Sequence, residues 1–228
     1  MNTVSSTDKQ VNRLFLYLFL VVFSIDLLAT GFGNEPMRYF SKPLLIPALG
    51  GYLFINVGLR NGAKWIMLAL LFSWIGDVFL LFESRNSSFF LLGLSAFLIA
   101  HIFYIIFFHH VRTMEKIKSK PVLLIVVALY YAALITFLYP YLGDMKIAVP
   151  VYGIVISFML LVALHMLYTV NKPAGQMMAA GAILFVISDS ILAVNKFYSP
   201  FEGAGIVIML TYGLAQLLIV TGAIRYIR

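Results

Sequence analysis

The sequence predicts an all-α fold: a polytopic membrane helix bundle with eight transmembrane helices. Two observations carry that prediction. First, 62% of the 228 residues are hydrophobic and only 11% are charged, where a soluble domain holds about 45–50% apolar and about 25% charged residues. The mean hydropathy is +0.99. Second, the apolar residues gather into eight runs long enough to cross the hydrocarbon core, which takes about 20 residues of helix. Barrel strands would be about ten residues long with alternating polarity. This composition excludes a soluble enzyme, a disordered chain and a disulfide scaffold. The lack of cysteine removes thiolate nucleophiles and thiolate metal sites.

The spans follow in order. Residues 14–30 form the first. Lys9 and Arg13 precede it and Ala29-Thr30-Gly31 closes it, a pattern shared with signal peptides. Its length, and Asp26 near its end, favour a retained helix. Residues 43–59 form the second span. Pro43 suits a first helical position, which places Lys42 at the outer surface. The third and fourth spans, 65–82 and 89–108, carry Asp77 and His101. The fifth to eighth are 121–139, 147–168, 175–194 and 204–223. Their connections are short, so consecutive helices should be antiparallel neighbours, all within one transmembrane domain covering residues 1–228.

Charge sets the orientation. With the N-terminus in the cytoplasm, the inner segments hold Lys9, Arg13, Arg60, Lys64, Arg112, Lys116, Lys118, Lys120, Lys172, Arg225 and Arg228, eleven of the sixteen basic residues. That excess predicts cytoplasmic N- and C-termini. It also accounts for the net charge of +7 without a nucleic-acid surface. Each outer connection carries one acid: Glu35, Glu83, Asp144 and Glu202. The protein is expected in the cell membrane, the inner one if the source is bacterial. Asn86-Ser87-Ser88 reads as a glycosylation sequon on the outer side.

The two halves look alike. Ser73-Trp74-Ile75-Gly76-Asp77 in span three answers to Ile187-Ser188-Asp189 in span seven. Phe97 and His101 in span four answer to Tyr212 and Gln216 in span eight, each polar group preceded by alanine. Four spans per repeat keep one orientation, so a parallel 4+4 repeat is expected.

Ionisable groups at membrane depth are costly and usually face a bundle interior or a wet cavity. Asp77 lies roughly 18 Å from the cytoplasmic start of its span, and Asp189 roughly 21 Å from its own. The two carboxyls should therefore share a level and meet in one pocket. His101 and Gln216 should lie deeper, near the midplane. Ser73 shares a face with Asp77, Tyr104 with His101, Tyr212 with Gln216, and Lys196 with Asp189. With Lys42 and Ser188, these residues are expected to line one cavity opening outward. Asp26, near the end of its span, is expected to snorkel to water. His109, His110 and His165 are expected at the inner interface. No metal site is expected: there is no HExxH, and only one histidine lies near the midplane. A Gly-rich phosphate loop and a Gly-x-Ser-x-Gly elbow are missing as well.

Lys42-Pro43-Leu44, Ser73-x-x-Gly76-Asp77, Phe97-x-x-x-His101-x-x-Tyr104, Ser188-Asp189 and Tyr212-x-x-Ala215-Gln216-x-x-Ile219, taken in this order along the whole chain, resemble the YhhN family of polytopic membrane proteins. That family includes the lysoplasmalogenases. The resemblance implies hydrolysis of the vinyl ether bond of a lysoplasmalogen to a fatty aldehyde and glycerophosphoethanolamine or glycerophosphocholine, with no cofactor. The partners are then a lysophospholipid substrate and the surrounding membrane lipids.

The residues suit this chemistry. A vinyl ether hydrolyses when its β-carbon is protonated, and water traps the resulting oxocarbenium ion. Apolar surroundings favour the protonated carboxyl that such a step needs, and a second carboxylate can stabilise the cation and activate water. Asp77 and Asp189 are expected to divide these catalytic roles. Lys42 and Lys196 are candidates for the phosphate, and His101, Tyr104, Tyr212 and Gln216 for the ether region or the water. A proton-coupled transporter of a small or lipid-like solute is the alternative, since parallel repeats and intramembrane carboxylates serve carriers too. A lipid-binding scaffold without chemistry is a third reading.

Overall fold

The computed structural model describes residues 6–60 and 62–228, with side chains from residue 14 onward. The side chains of Lys9 and Arg13, which entered the charge count, lie outside the described residues. Eight α-helices follow one another: α1 (Ser6–Gly31), α2 (Glu35–Val57), α3 (Ala63–Leu81), α4 (Ser88–Met114), α5 (Pro121–Leu138), α6 (Ala148–Leu164), α7 (Lys172–Ala193) and α8 (Ala204–Ile227). Among the described residues no strand occurs. All eight helices are long and apolar enough to cross a membrane.

Local sequence explains where the helices start. Asn34 caps α2, accepting a hydrogen bond from the Met37 amide at 3.1 Å, and Asn171 caps α7 in the same way through the Ala174 amide at 3.3 Å. In both helices a proline, Pro36 or Pro173, follows two residues later, in the first turn where its missing N–H costs nothing. Helix α2 therefore begins eight residues before the expected start at Pro43. Pro43 and Pro47 lie inside α2, and Lys42 lies two turns into it rather than at its mouth. A proline frees the carbonyl four residues back. Pro47 frees that of Pro43, and the Trp74 indole N–H of α3 donates to it at 2.8 Å.

The bundle has an acidic end, where Glu35, Glu83, Asp144 and Glu202 follow or open helices, and a basic end, where Lys64, Arg112, Lys120 and Lys172 do so. Pairs α1–α2, α3–α4 and α7–α8 form tight hairpins. Helix α8 also touches α1, α2 and α3, and α4 packs on α6. Helices α7 and α8 approach most closely. A Cβ on Gly181 would sit 2.8 Å from the Ala215 carbonyl oxygen, and one on Gly222 would sit 2.9 Å from that of Ala174. Such small residues let backbones meet where lipid supplies no hydrophobic drive between helices.

Helix α1 is a packed member of the bundle, with Phe19, Val22, Phe23 and Ala29 buried against its neighbours. Helix α5 is the opposite case. It buries only Val127 and Leu138, and its apolar surface suits direct contact with lipid tails.

Candidate active site

The polar side chains at membrane depth fall into two clusters. The first is built on α3. Asp77 is buried and accepts a hydrogen bond from the Tyr212 hydroxyl of α8 at 2.6 Å. Lys42 of α2, also buried, places its ammonium 3.6 Å from the other carboxyl oxygen. One turn along, Gln216 of α8 donates to the Ser73 hydroxyl at 3.1 Å and accepts from the Tyr104 hydroxyl of α4. The pairs Asp77–Tyr212 and Ser73–Gln216 are thus successive rungs between antiparallel helices, spaced four residues apart on each. Beyond Lys42, the Ser41 hydroxyl donates to Asp26 of α1 at 2.6 Å.

The second cluster is built on α7. The Tyr152 hydroxyl of α6 donates to Asp189 Oδ2. The His101 Nε2 of α4 lies 2.9 Å from the same hydroxyl and 3.6 Å from Asp189 Oδ2. Tyr152 has one proton and gives it to the carboxylate, so its oxygen accepts from His101 Nε2–H. The buried Nδ1 of His101 has no partner among the described residues. Asp189 Oδ1 makes none of these bonds.

The expectation that the two carboxyls meet in one pocket is not met. They share no hydrogen-bond partner, and aromatic rings stand between their clusters. Phe185 packs edge-on against Tyr212, centroids 5.5 Å apart, and against His101 at 4.8 Å. Phe97, lying over Gly76 beside Asp77, completes the partition. Each carboxyl finds its tyrosine donor on a different helix, Asp77 on α8 and Asp189 on α6.

Exposure separates the clusters further. Asp77 is 2% exposed and borders none of the described cavities, whereas the Asp189 side chain is 17% exposed. Asp189 and Tyr152 together line two cavities of about 40 Å³ each, one toward Leu80 and Phe90, the other toward Tyr130 and Ile135 of α5. Each has room for a water but not for an extended alkyl chain.

Other expected site residues are placed as follows. Lys42, Ser73, Tyr104, Tyr212 and Gln216 line none of the described cavities; they are buried, Lys42 and Tyr212 against Asp77 and Ser73 and Tyr104 against Gln216. Ser188 donates to the Ile208 carbonyl at 2.9 Å and fastens α7 to α8. Lys196 sits on the acidic-end side of Asp189 and pairs with Glu83. His101 is at the level of Asp189, not below it. Asp26 does not snorkel. It is 0% exposed because Ser41 and α2 cover it. His165 is likewise buried, bonded through Nδ1 to the Leu161 carbonyl and accepting from the Lys120 amide. Tyr152 was missed. Its only signal is a polar-tipped ring in the aliphatic run Val149–Ile156 of α6.

Each cluster draws on helices from both halves of the chain. Asp77 of α3 takes partners from α2 and α8, and Asp189 of α7 takes partners from α6 and α4.

Known proteins resemble this chain over most of its length. Human lysoplasmalogenase TMEM86B is 31% identical over 186 residues, covering 81% of this chain and 74% of the relative. Bovine lysoplasmalogenase TMEM86A is 33% identical over 169 residues, covering 72% and 66%. A lysoplasmalogenase of Mycobacterium tuberculosis is 29% identical over 166 residues, covering 70% and 60%. No solved structure matches. The YhhN family model matches residues 37–223, from the first turns of α2 to the last of α8 and so through both clusters. This chain, an integral membrane protein of eight helices, belongs to the YhhN family.

Proposed function

We propose that the protein is a lysoplasmalogenase, a hydrolase of the vinyl ether bond of lysoplasmalogens, and that Asp189 is the carboxyl that reacts. The observation that carries this reading is the asymmetry of Asp189. One of its oxygens is held by Tyr152, the other makes no such bond, and the group borders water-sized cavities beneath the acidic end. The family relationship supports the substrate class.

The chemistry closes on one carboxyl. Asp189, protonated on Oδ1, delivers the proton to the β-carbon of the vinyl ether. The π electrons form the new C–H bond, and the positive charge moves to the ether carbon and oxygen. The Asp189 carboxylate left behind, bonded by Tyr152, lies against this oxocarbenium ion and stabilises it. A water then attacks the cationic carbon and gives its proton back to Asp189. The hemiacetal collapses to a fatty aldehyde and the glycerophospho alcohol, one water being consumed and the carboxyl regenerated. His101 holds Tyr152 in the orientation that donates to Asp189.

In this scheme Asp77 is a positioning residue. Its ion pair with Lys42 and its bond to Tyr212 hold Tyr212 edge-on against Phe185, the same ring that packs edge-on against His101. The carrier alternative lacks a comparable support: α3 and α7 run unbroken through Asp77 and Asp189. Cytoplasmic termini and a 4+4 repeat fit this scheme, with the acidic end outward.

The test is aldehyde release by purified protein from a lysoplasmenyl lipid in D₂O, with immediate borohydride trapping. One deuterium at C2 of the trapped alcohol is expected, and none in Asp189→Asn, which should release no aldehyde. Full turnover in Asp189→Asn with loss in a folded Asp77→Asn would move the chemistry to the Lys42 cluster. Uptake into liposomes without aldehyde would establish the carrier instead.

A further inference from the structure

Buried charge does not balance around Asp77. Among the described residues two acidic side chains are buried in the bundle, Asp26 at 0% and Asp77 at 2% exposure, against one buried lysine, Lys42. Lys42 pairs with Asp77, and among the described residues no ion pair reaches Asp26. The groups form one cluster, because Ser41, which donates to Asp26 Oδ1 at 2.6 Å, is the chain neighbour of Lys42. With both acids ionised the cluster carries one negative charge too many. An unmatched charge at membrane depth is strongly unfavourable.

Two oxygens at the same place are unused. Asp26 Oδ2 and Thr30 Oγ1 are both buried, and neither has a hydrogen-bond partner among the described residues. Thr30 follows Asp26 by one turn of α1, and helical side chains lean toward the N-terminus, so the threonine leans toward the carboxyl. The two oxygens do not bond to each other, so a third particle is needed to answer both. The Thr30 methyl packs against Gly205 of α8, where an added Cβ would sit 3.0 Å from it, and this contact fixes the threonine rotamer. Both residues lie in the last two turns of α1, where the negative end of the helix dipole favours a cation.

We propose that Asp26 Oδ2 and Thr30 Oγ1 are ligands of a sodium ion bound between α1 and α2. One monovalent cation brings the cluster to neutrality and answers both oxygens at once. The donors are hard oxygens, without nitrogen or sulfur, a set that suits alkali and alkaline-earth ions rather than transition metals. A divalent ion would overshoot the charge. Helices α1 and α2 pack as a tight hairpin, a spacing that favours sodium over the larger potassium. The expectation of no metal site concerned imidazole and thiolate ligands, which this ion does not use. The site goes beyond the hydrolysis reading and does not rest on it.

The test melts the full chain in nonionic micelles in NaCl, KCl or choline chloride at equal ionic strength, and counts bound radioactive sodium by equilibrium dialysis. Wild type is expected to bind one Na⁺ per chain and to melt highest in NaCl, with Tm rising as the logarithm of the Na⁺ concentration. Asp26→Asn keeps an acceptor for Ser41 and removes the unmatched charge. It is expected to bind no Na⁺ and to melt in choline chloride at or above wild type. Thr30→Val keeps the shape and loses one ligand, and is expected to need about tenfold more Na⁺ for the same gain. A wild type that melts alike in the three salts overturns the proposal and places a proton on Asp26 instead. So does a gain from KCl equal to that from NaCl, or a Na⁺ response that survives in Asp26→Asn. Should Asp26→Asn not fold, Thr30→Val decides, an unchanged Na⁺ midpoint being the result that overturns the site. Aldehyde release from a lysoplasmenyl lipid bears on none of these outcomes, so the two readings fail separately.

Discussion

Replacing Tyr152 by phenylalanine removes one oxygen from the middle of the Asp189 cluster and leaves the ring in place. That oxygen makes two bonds, donating to Asp189 Oδ2 and accepting from His101 Nε2 at 2.9 Å. The carboxylate formed on proton delivery then loses a charge-assisted hydrogen bond, worth about 1.5–3 kcal/mol. At about 1.36 kcal/mol per tenfold in rate, kcat should fall about 10-fold to 150-fold. The lower part of that range applies if His101, already 3.6 Å from Oδ2, closes on the carboxylate directly. The edge of Phe185 against the imidazole opposes that movement. KM should change little, because the hydroxyl faces Asp189 and not the lipid, so the loss belongs to the transition state. Aldehyde release coupled to NADH oxidation by alcohol dehydrogenase reads both constants in micelles. A folded Tyr152→Phe protein with kcat within twofold of wild type, or a loss confined to KM, would refute the assignment of Tyr152 and with it the orientation of Asp189.

Two further predictions concern stability. Lys42→Met leaves the Asp77 carboxylate buried without its cation and should cost about 3–5 kcal/mol, while Lys42→Met/Asp77→Asn, which keeps an acceptor for Tyr212, should recover most of the loss; additive losses in detergent unfolding would show that the pair is not coupled. Gly181→Ala pushes a methyl to 2.8 Å from one backbone atom of α8 and 2.9 Å from another, and should cost about 1–3 kcal/mol. Gly50→Ala, whose nearest neighbour is the flexible Met67 sulfur at 3.6 Å, should instead gain up to about 1 kcal/mol from helix propensity. Thermal melts that rank the two alanines the other way would contradict the packing described for α7 and α8.

The eight helices were legible because the bilayer imposes one length and one polarity on every span. Their polar ends were less so. Glu35–Lys42 reads as a connection by hydropathy, yet the Asn34 cap and Pro36 start α2 there, which carries Lys42 into the interior. That Asp77, Asp189 and His101 would need polar partners inside the bundle was legible from depth alone. Which groups face them was not, because spacing along one helix says nothing of the helix opposite. Asp26 illustrates this: its position near a span end implied water, and Ser41 on the neighbouring helix excludes it. Tyr152 illustrates the converse, being a tyrosine among aliphatic residues until α6 turns it toward Asp189.

The crossing of partners between the halves has a consequence for any attempt to divide the molecule. A fragment ending with α4 would keep Asp77 and Lys42 but lose Tyr212 and Gln216, and His101 would face no acid. The complementary fragment would keep Asp189 with Tyr152 while Tyr212 pointed at nothing. Neither piece is self-sufficient in lipid, where an unanswered polar group has no water to turn to. Two genes each encoding four of these helices would have to be inherited and translated together, and their products would have to find each other before either could persist.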